Sequence, residues 1–118
     1  MRKILTLVVF LSVLSISLMV YANSPSDIKI TFDQKTKMLE AVIAHNTSDP
    51  INHYVKKVAV GLNGENIIEH IISKEDNNQN QTVSYLIPDV KDGDVISVEG
   101  YCSINGQLKK EITVKMEK

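Results

Sequence analysis

The chain has 118 residues, of which 43% are hydrophobic and 23% are charged, and its net charge is −1. This composition is typical of a globular domain and excludes collagen-like, low-complexity and wholly disordered chains. A chain of this length most simply forms one domain. Its positive charges form no basic stripe, so nucleic acid is not an expected partner.

The N-terminal segment has the pattern of a secretory signal peptide. Arg2 and Lys3 precede an uncharged apolar stretch, and small residues stand at positions −3 and −1 of a predicted cut after Ala22. We expect residues 1–22 to be removed, so that residues 23–118 form an exported, periplasmic or secreted domain without a stable membrane span. The alternative is that the segment is kept as an anchor. The processed chain carries 11 lysines and 14 acidic residues, a net charge of −3 (11 − 14).

The remaining sequence alternates between apolar and polar residues in short segments, which is the pattern of β-strands. Asn63-Gly64 and Asn105-Gly106 are strong signals for hairpin turns. Together the patterns predict seven strands, over residues 28–32, 38–45, 54–62, 66–72, 82–87, 95–104 and 107–116. Seven short strands with frequent turns predict an all-β, seven-stranded immunoglobulin-like β-sandwich.

Few residues carry the chemistry of a site. His45 ends the second predicted strand, His53 begins the third, and Cys102 lies near the end of the sixth, so a sandwich can bring the three to one end. Two imidazoles and a thiolate suit zinc, copper or non-haem iron. The alternative is a buried free cysteine beside two hydrogen-bonded loop histidines. His70 lies mid-strand and is expected to be a surface or half-buried packing residue.

Other features predict no catalytic site. The polar segment Lys74–Gln81 is expected to be an exposed, mobile loop in which Glu75 and Asp76 are solvated charges. No Gly-x-Ser-x-Gly elbow occurs in the sequence. The glycines are turn residues or single strand residues, so no phosphate-binding loop is predicted.

Two segments resemble the desulfoferrodoxin and superoxide reductase family. The first runs from His45 through His53 to Val55 as HNTSDPINHYV, and the second is YCSING around Cys102. They are similar to the family's His-Pro segment followed by His-Tyr-Ile or His-His-Ile, and to its Cys-Asn-Leu-His-Gly signature. The resemblance covers residues 38–114 and implies a seven-stranded immunoglobulin-like sandwich that binds non-haem iron. It implies His45, His53 and Cys102 as the metal ligands, and zinc or copper are not excluded.

The ligand set that the resemblance implies is incomplete. In the family, four histidines and one cysteine hold the iron, whereas here Asn105 replaces the signature histidine and no histidine lies between Asn23 and Ala44. We therefore expect an exported protein with a degenerate His/Cys site for redox or superoxide handling, and its enzymatic activity is an open question.

Two alternatives use the same fold without this chemistry. The first is a non-catalytic periplasmic protein-binding sandwich module that has lost the metal site. The second is a carrier with Cys102 as an exposed attachment point. The expected partners are a redox or other protein, or a second copy of the chain.

Overall fold

A computed structural model describes residues 23–117 as a sandwich of two antiparallel sheets. The expected signal peptide lies outside the described residues. The strands are β1 (Asp27–Asp33), β2 (Met38–Ala44), β3 (Val55–Leu62), β4 (Glu65–Ile71), β5 (Asn80–Leu86), β6 (Val95–Cys102) and β7 (Gln107–Thr113). The all-β, seven-stranded prediction is confirmed. Among the described residues, no helix is long and apolar enough to cross a bilayer.

The two sheets divide the strands as three and four. The smaller sheet has the order β1-β2-β5 and the larger one β4-β3-β6-β7. Constant-type immunoglobulin domains place the fourth strand in the same sheet as the first two, whereas here β4 pairs with β3 through the Asn63-Gly64 turn. As a result, β4 is an edge strand of the larger sheet.

The core lies between the sheets and is built by period-two alternation on β2 and β6. The fully buried side chains of these strands are Leu39, Ala41, Ile43, Ile96 and Val98. Each buried Leu, Ile or Val side chain contributes about 1.5–3 kcal/mol when it is removed from water, and Ala41 contributes less. Because alternate residues share one face of a strand, the same alternation directs His45, just after β2, and Cys102, at the end of β6, into the interior. Both are 2% exposed.

A β-bulge shapes the start of β3. The register between β3 and β6 shifts between Val55 and Lys57, so that Val55 lies opposite Cys102. Val55 is fully buried. Bulges bend a strand and re-aim its neighbouring side chains, and this one lies two residues after His53.

The predicted strand ends shift by up to three residues, most at the end of β7. That strand stops at Thr113, because the next residue bonds to the turn that precedes β6 and not to β6 itself. There the Val114 N–H donates to the Asp94 carbonyl, and the Gly93 N–H donates to the Val114 carbonyl, both at 2.8 Å.

The prediction of an exposed loop over residues 74–81 is wrong in part. Glu75 and Gln81 are 2% and 6% exposed, and β5 already begins at Asn80. The segment folds back on itself, because the Asp76 carboxylate accepts hydrogen bonds from the Gln81 amide and the Thr82 N–H. Asp76 is exposed, as predicted.

Candidate metal centre

The three predicted ligands meet at one end of the sandwich. One ring nitrogen from each of His45 and His53 and the Cys102 sulfur all lie within 4.8 Å of one another. His45 and Cys102 are buried and His53 is half-buried. The two imidazole rings pack edge to face with their centroids 4.8 Å apart. The structure thus brings together the whole His/His/Cys set.

Glu75 holds His45 in place and was missed by the sequence analysis. Its Oε1 accepts hydrogen bonds from His45 Nδ1 at 2.6 Å and from the Val55 N–H at 3.2 Å. The Glu75 side chain is fully buried, so the prediction of a solvated charge is wrong for this residue. No local pattern marks it, because it lies in a polar segment and is buried only through contacts with the β2–β3 connection.

The Glu75–His45 contact occupies Nδ1 and leaves Nε2 as the nitrogen of His45 that could bind a metal. A histidine ligand commonly donates its second ring N–H to a carboxylate, which sets the tautomer and the ring orientation. With Nδ1 donating to Glu75, the lone pair of a neutral ring is on Nε2. That atom also lies 3.0 Å from the carbonyl oxygen of Asn23, which accepts a hydrogen bond from Nε2 when this nitrogen is protonated, so a metal on Nε2 would replace that hydrogen bond.

His53 lies in a tight turn between β2 and β3. Its N–H donates to the Asp49 carbonyl at 2.8 Å, and the Asp49 side chain accepts the N–H groups of Ile51 and Asn52. Pro50 follows Asp49, and its fixed φ is favourable at this position of a turn. Hydrogen bonds from the Asn52 side chain, and then from the Asn52 and Ile51 N–H groups, lower the pKa of the Asp49 carboxyl below its ordinary value. This network presents the imidazole to the cluster.

Cys102 is held by the turn that joins β6 to β7. Its N–H donates to the Gly106 carbonyl at 2.9 Å, and its sulfur accepts the Ile104 N–H at 3.4 Å. Such N–H···S hydrogen bonds stabilise negative charge on sulfur and tune metal–thiolate centres. The turn is fastened to the His53 loop, since the Ser103 hydroxyl accepts the Tyr54 N–H and donates to the Asn52 carbonyl.

The donor set fits a first-row transition metal. Zinc binds imidazole nitrogen at about 2.1 Å and thiolate sulfur at about 2.3 Å in a tetrahedron, so two such ligands of one ion are about 3.6 Å apart. The candidate ligand atoms lie within 4.8 Å of one another, so the side chains would have to close by up to about 1 Å to share one ion. His53 Nε2 is buried and has no hydrogen-bond partner in the part of the chain that the structure describes. A buried polar atom of this kind is costly unless something binds it.

His70 lies outside the cluster. It is exposed on β4, where Nδ1 is 2.8 Å from the Tyr85 hydroxyl, as expected for a surface residue. Burial raises the pKa of Tyr85 to about 12. The burial of Cys102 is opposite to the exposure that a covalent carrier requires.

No protein-family model matches this chain, and no curated protein matches its sequence. The geometry of the His45/His53/Cys102 cluster and the resemblance of the two segments that contain it are therefore what indicates a function.

Proposed function

We propose that this chain is an exported, desulfoferrodoxin-like metalloprotein that binds non-haem iron through His45, His53 and Cys102. The observation that carries the proposal is the convergence of these side chains in a mostly buried cluster. The resemblance of their two segments to an iron-binding family favours iron, although zinc and copper accept the same nitrogen and sulfur donors. The proposed role is redox or superoxide handling.

Each residue at the centre has a part in this role. Glu75 orients His45, and the Ile104 N–H stabilises charge on the Cys102 sulfur. If a metal is bound, the Cys102 thiolate would donate electron density to it. Bound iron would supply the electron for reduction of a small oxygen species. His53 is the half-buried member of the cluster.

The small number of ligands limits the proposed activity. Within residues 23–117, the cluster contains two histidines and one cysteine, and Asn105 occupies the signature position of a further histidine. Three protein ligands leave room for solvent, as in catalytic zinc sites. We therefore propose weaker iron binding and slower superoxide reduction than a full four-histidine site would support.

The test is metal loading of the chain that starts at Asn23, compared with its Cys102→Ser, His53→Ala and His70→Ala variants. We expect about one iron per chain in the parent protein, because three donors share one position. A thiolate-to-iron charge-transfer band should be present and should disappear in Cys102→Ser. His70→Ala is the matched control, since it removes a histidine outside the cluster, and it should bind like the parent.

Loading that is equal in all four proteins, or absent from the parent, would contradict the metal centre. In the second case the protein-binding module gains support. One observation favours that module: β4 is an edge strand, and its Ile67 and Ile71 are 43% and 72% exposed. Exposed apolar residues on a strand with one unpaired edge are typical of sheets that bind a partner by strand addition.

A further inference from the structure

The two Asn-Gly turns hold their asparagine side chains differently. In the turn from β3 to β4, the Asn63 side chain is bonded at both ends. Its Nδ2 donates to Asp94 Oδ1 at 3.1 Å, and its Oδ1 accepts the Val95 N–H at 2.9 Å. The main-chain N–H of Asn63 donates to the Val95 carbonyl at 2.8 Å. Asn63 is therefore fixed to the segment that leads into β6.

Asn105, in the turn from β6 to β7, has a free side chain. It is exposed, and the hydrogen bonds of its turn are made by other groups. The Cys102 N–H donates to the Gly106 carbonyl at 2.9 Å, and the Ile104 N–H donates to the Cys102 sulfur at 3.4 Å. Among residues 23–117, no hydrogen-bond partner restrains the Asn105 amide.

An asparagine that precedes a glycine can lose its side-chain amide without an enzyme. The main-chain nitrogen of the glycine attacks the asparagine Cγ, the C–N bond of the side-chain amide breaks, and ammonia leaves with the glycine N–H proton. Water then opens the resulting cyclic imide at either carbonyl and gives aspartate or isoaspartate. The attack requires the side chain to rotate towards the next nitrogen. It also requires space at that nitrogen, which glycine provides because it has no Cβ.

We propose that Asn105 is a site of spontaneous deamidation and that Asn63, although a glycine follows it too, is protected by its hydrogen bonds. Rotation of the Asn63 side chain towards Gly64 breaks two hydrogen bonds, each of which changes an equilibrium by a factor of about 2 to 10. Rotation of the Asn105 side chain breaks none within the described domain. Asn105 therefore deamidates about 5- to 100-fold faster than Asn63 in the folded chain.

Isoaspartate at this position loosens the turn that holds Cys102. In isoaspartate the main chain passes through the side-chain carbon, so it gains one atom between Cys102 and Gly106. The hydrogen bond from the Cys102 N–H to the Gly106 carbonyl closes this turn, and the longer chain weakens it. Because Cys102 is 2% exposed, a looser turn is detectable as a faster reaction of its thiol. This consequence is independent of a bound metal.

The test incubates the purified 118-residue chain without metal in warm, mildly alkaline buffer. Mass spectrometry follows the peptides that contain Asn63 and Asn105. We expect deamidation at Asn105 first, by the factor given above, with isoaspartate among the products. In urea, which removes the folded contacts, the two rates should converge. Asp94→Ala removes the acceptor of the Asn63 amide and should speed deamidation at Asn63 alone.

Equal rates at the two positions of the folded chain, or a faster rate at Asn63, would overturn the proposal. So would a rate at Asn105 that rises in urea as much as the rate at Asn63, because the fold would then protect both side chains.

Reaction of the Cys102 thiol with a disulfide reagent tests the loosening of the turn. The deamidated chain should react about 2- to 10-fold faster than the fresh one, as for loss of one hydrogen bond. Asn105→Asp is the matched control, since it adds the charge without lengthening the main chain, and it should react like the fresh chain. Equal rates in the deamidated and fresh chains would overturn the loosening and leave the deamidation site standing.

Discussion

At the residue scale, the pair formed by His45 and Glu75 is the most demanding feature of the molecule. Both side chains are buried, and Glu75 Oε2 has no hydrogen-bond partner among residues 23–117. A buried carboxylate loses its hydration, which must be replaced by fixed donors. Here His45 Nδ1 and the Val55 N–H supply them to Oε1 alone. What this costly pair provides is a fixed orientation of the His45 imidazole.

Removal of the Glu75 carboxylate should damage both stability and metal affinity. We expect Glu75→Ala to lower the free energy of unfolding of the metal-free domain by about 3 kcal/mol, because it leaves His45 and the Val55 N–H without their acceptor. Glu75→Gln keeps an acceptor and should cost less. Zn²⁺ affinity should fall about 10- to 100-fold in the Glu75→Gln variant, as for other carboxylates behind a metal-bound histidine.

Urea unfolding and chelator competition measure these two effects. Glu65→Ala is the matched control, because Glu65 is exposed at the start of β4, and it should change stability by about 0.5 kcal/mol or less. If Glu65→Ala and Glu75→Ala lower the free energy of unfolding by the same amount, the buried His45–Glu75 pair does not stabilise the domain as its geometry indicates.

At the element scale, the site depends on turns that are fastened to one another. The turn from β6 to β7 contains Cys102 and Gly106, and Ser103 connects it to the loop that holds His53. Gly106 also contacts Ser24, next to Asn23. One turn therefore positions the sulfur ligand and borders the N-terminal residues that face His45.

A side chain at Gly106 should loosen this arrangement. Gly106 has a φ of 86°, and a Cβ there would strike Ser24; Gly64 has a similar φ of 88°, but a Cβ there would meet nothing within 4 Å. Both Gly→Ala changes bear the cost of a left-handed conformation, about 1 kcal/mol. We expect Gly106→Ala to lose about 1 kcal/mol more than Gly64→Ala in urea unfolding, because Ser24 must move.

The metal affinity distinguishes the two variants further. Gly64 lies in the β3–β4 hairpin, away from the ligands, so its substitution should leave Zn²⁺ binding unchanged. Gly106→Ala should weaken it. If both variants lose the same free energy of unfolding and keep the Zn²⁺ affinity of the parent, the contact between Ser24 and Gly106 does not constrain this turn.

At the scale of the whole molecule, the cluster lies where the two sheets are joined. His45 continues β2 of the smaller sheet, Cys102 ends β6 of the larger one, and His53 lies in the connection between the sheets. The single cysteine is free, so the chain has no disulfide. A bound metal would therefore cross-link both sheets at one end.

Metal should stabilise the folded domain through this cross-link. At a free Zn²⁺ concentration about 100 times the dissociation constant, the expected gain is about 2.7 kcal/mol, since the ion binds the folded chain. For a domain of this size, 1 kcal/mol corresponds to about 4–8 °C in melting temperature. Thermal unfolding at increasing Zn²⁺ should show a rise in the parent protein and little change in Cys102→Ser. The same rise in both would point to ion binding elsewhere.

The sequence by itself determined the number and order of the strands and the three candidate ligands. Alternation and the two Asn-Gly turns are local signals, because side-chain direction in a strand has a period of two and a tight hairpin selects residues that accept positive φ. His45 and Cys102 were predicted from their positions at strand ends and from the family resemblance, and in the structure the alternation of β2 and β6 directs both into the interior. The strand ends that were predicted wrongly lie where pairing depends on hydrogen-bond partners far along the chain, and no local pattern in the sequence marks those partners.

Only the tertiary structure decided what surrounds the ligands. Glu75 lies in a polar segment without periodicity, and its burial depends on His45 and Val55, which are far from it along the chain. The approach of Asn23 to His45 likewise depends on contacts of Ser24 and Pro25 with β6 and its turn. Burial and long-range hydrogen bonds are properties of the packed chain, and they give an acidic residue in a polar loop its role at the site.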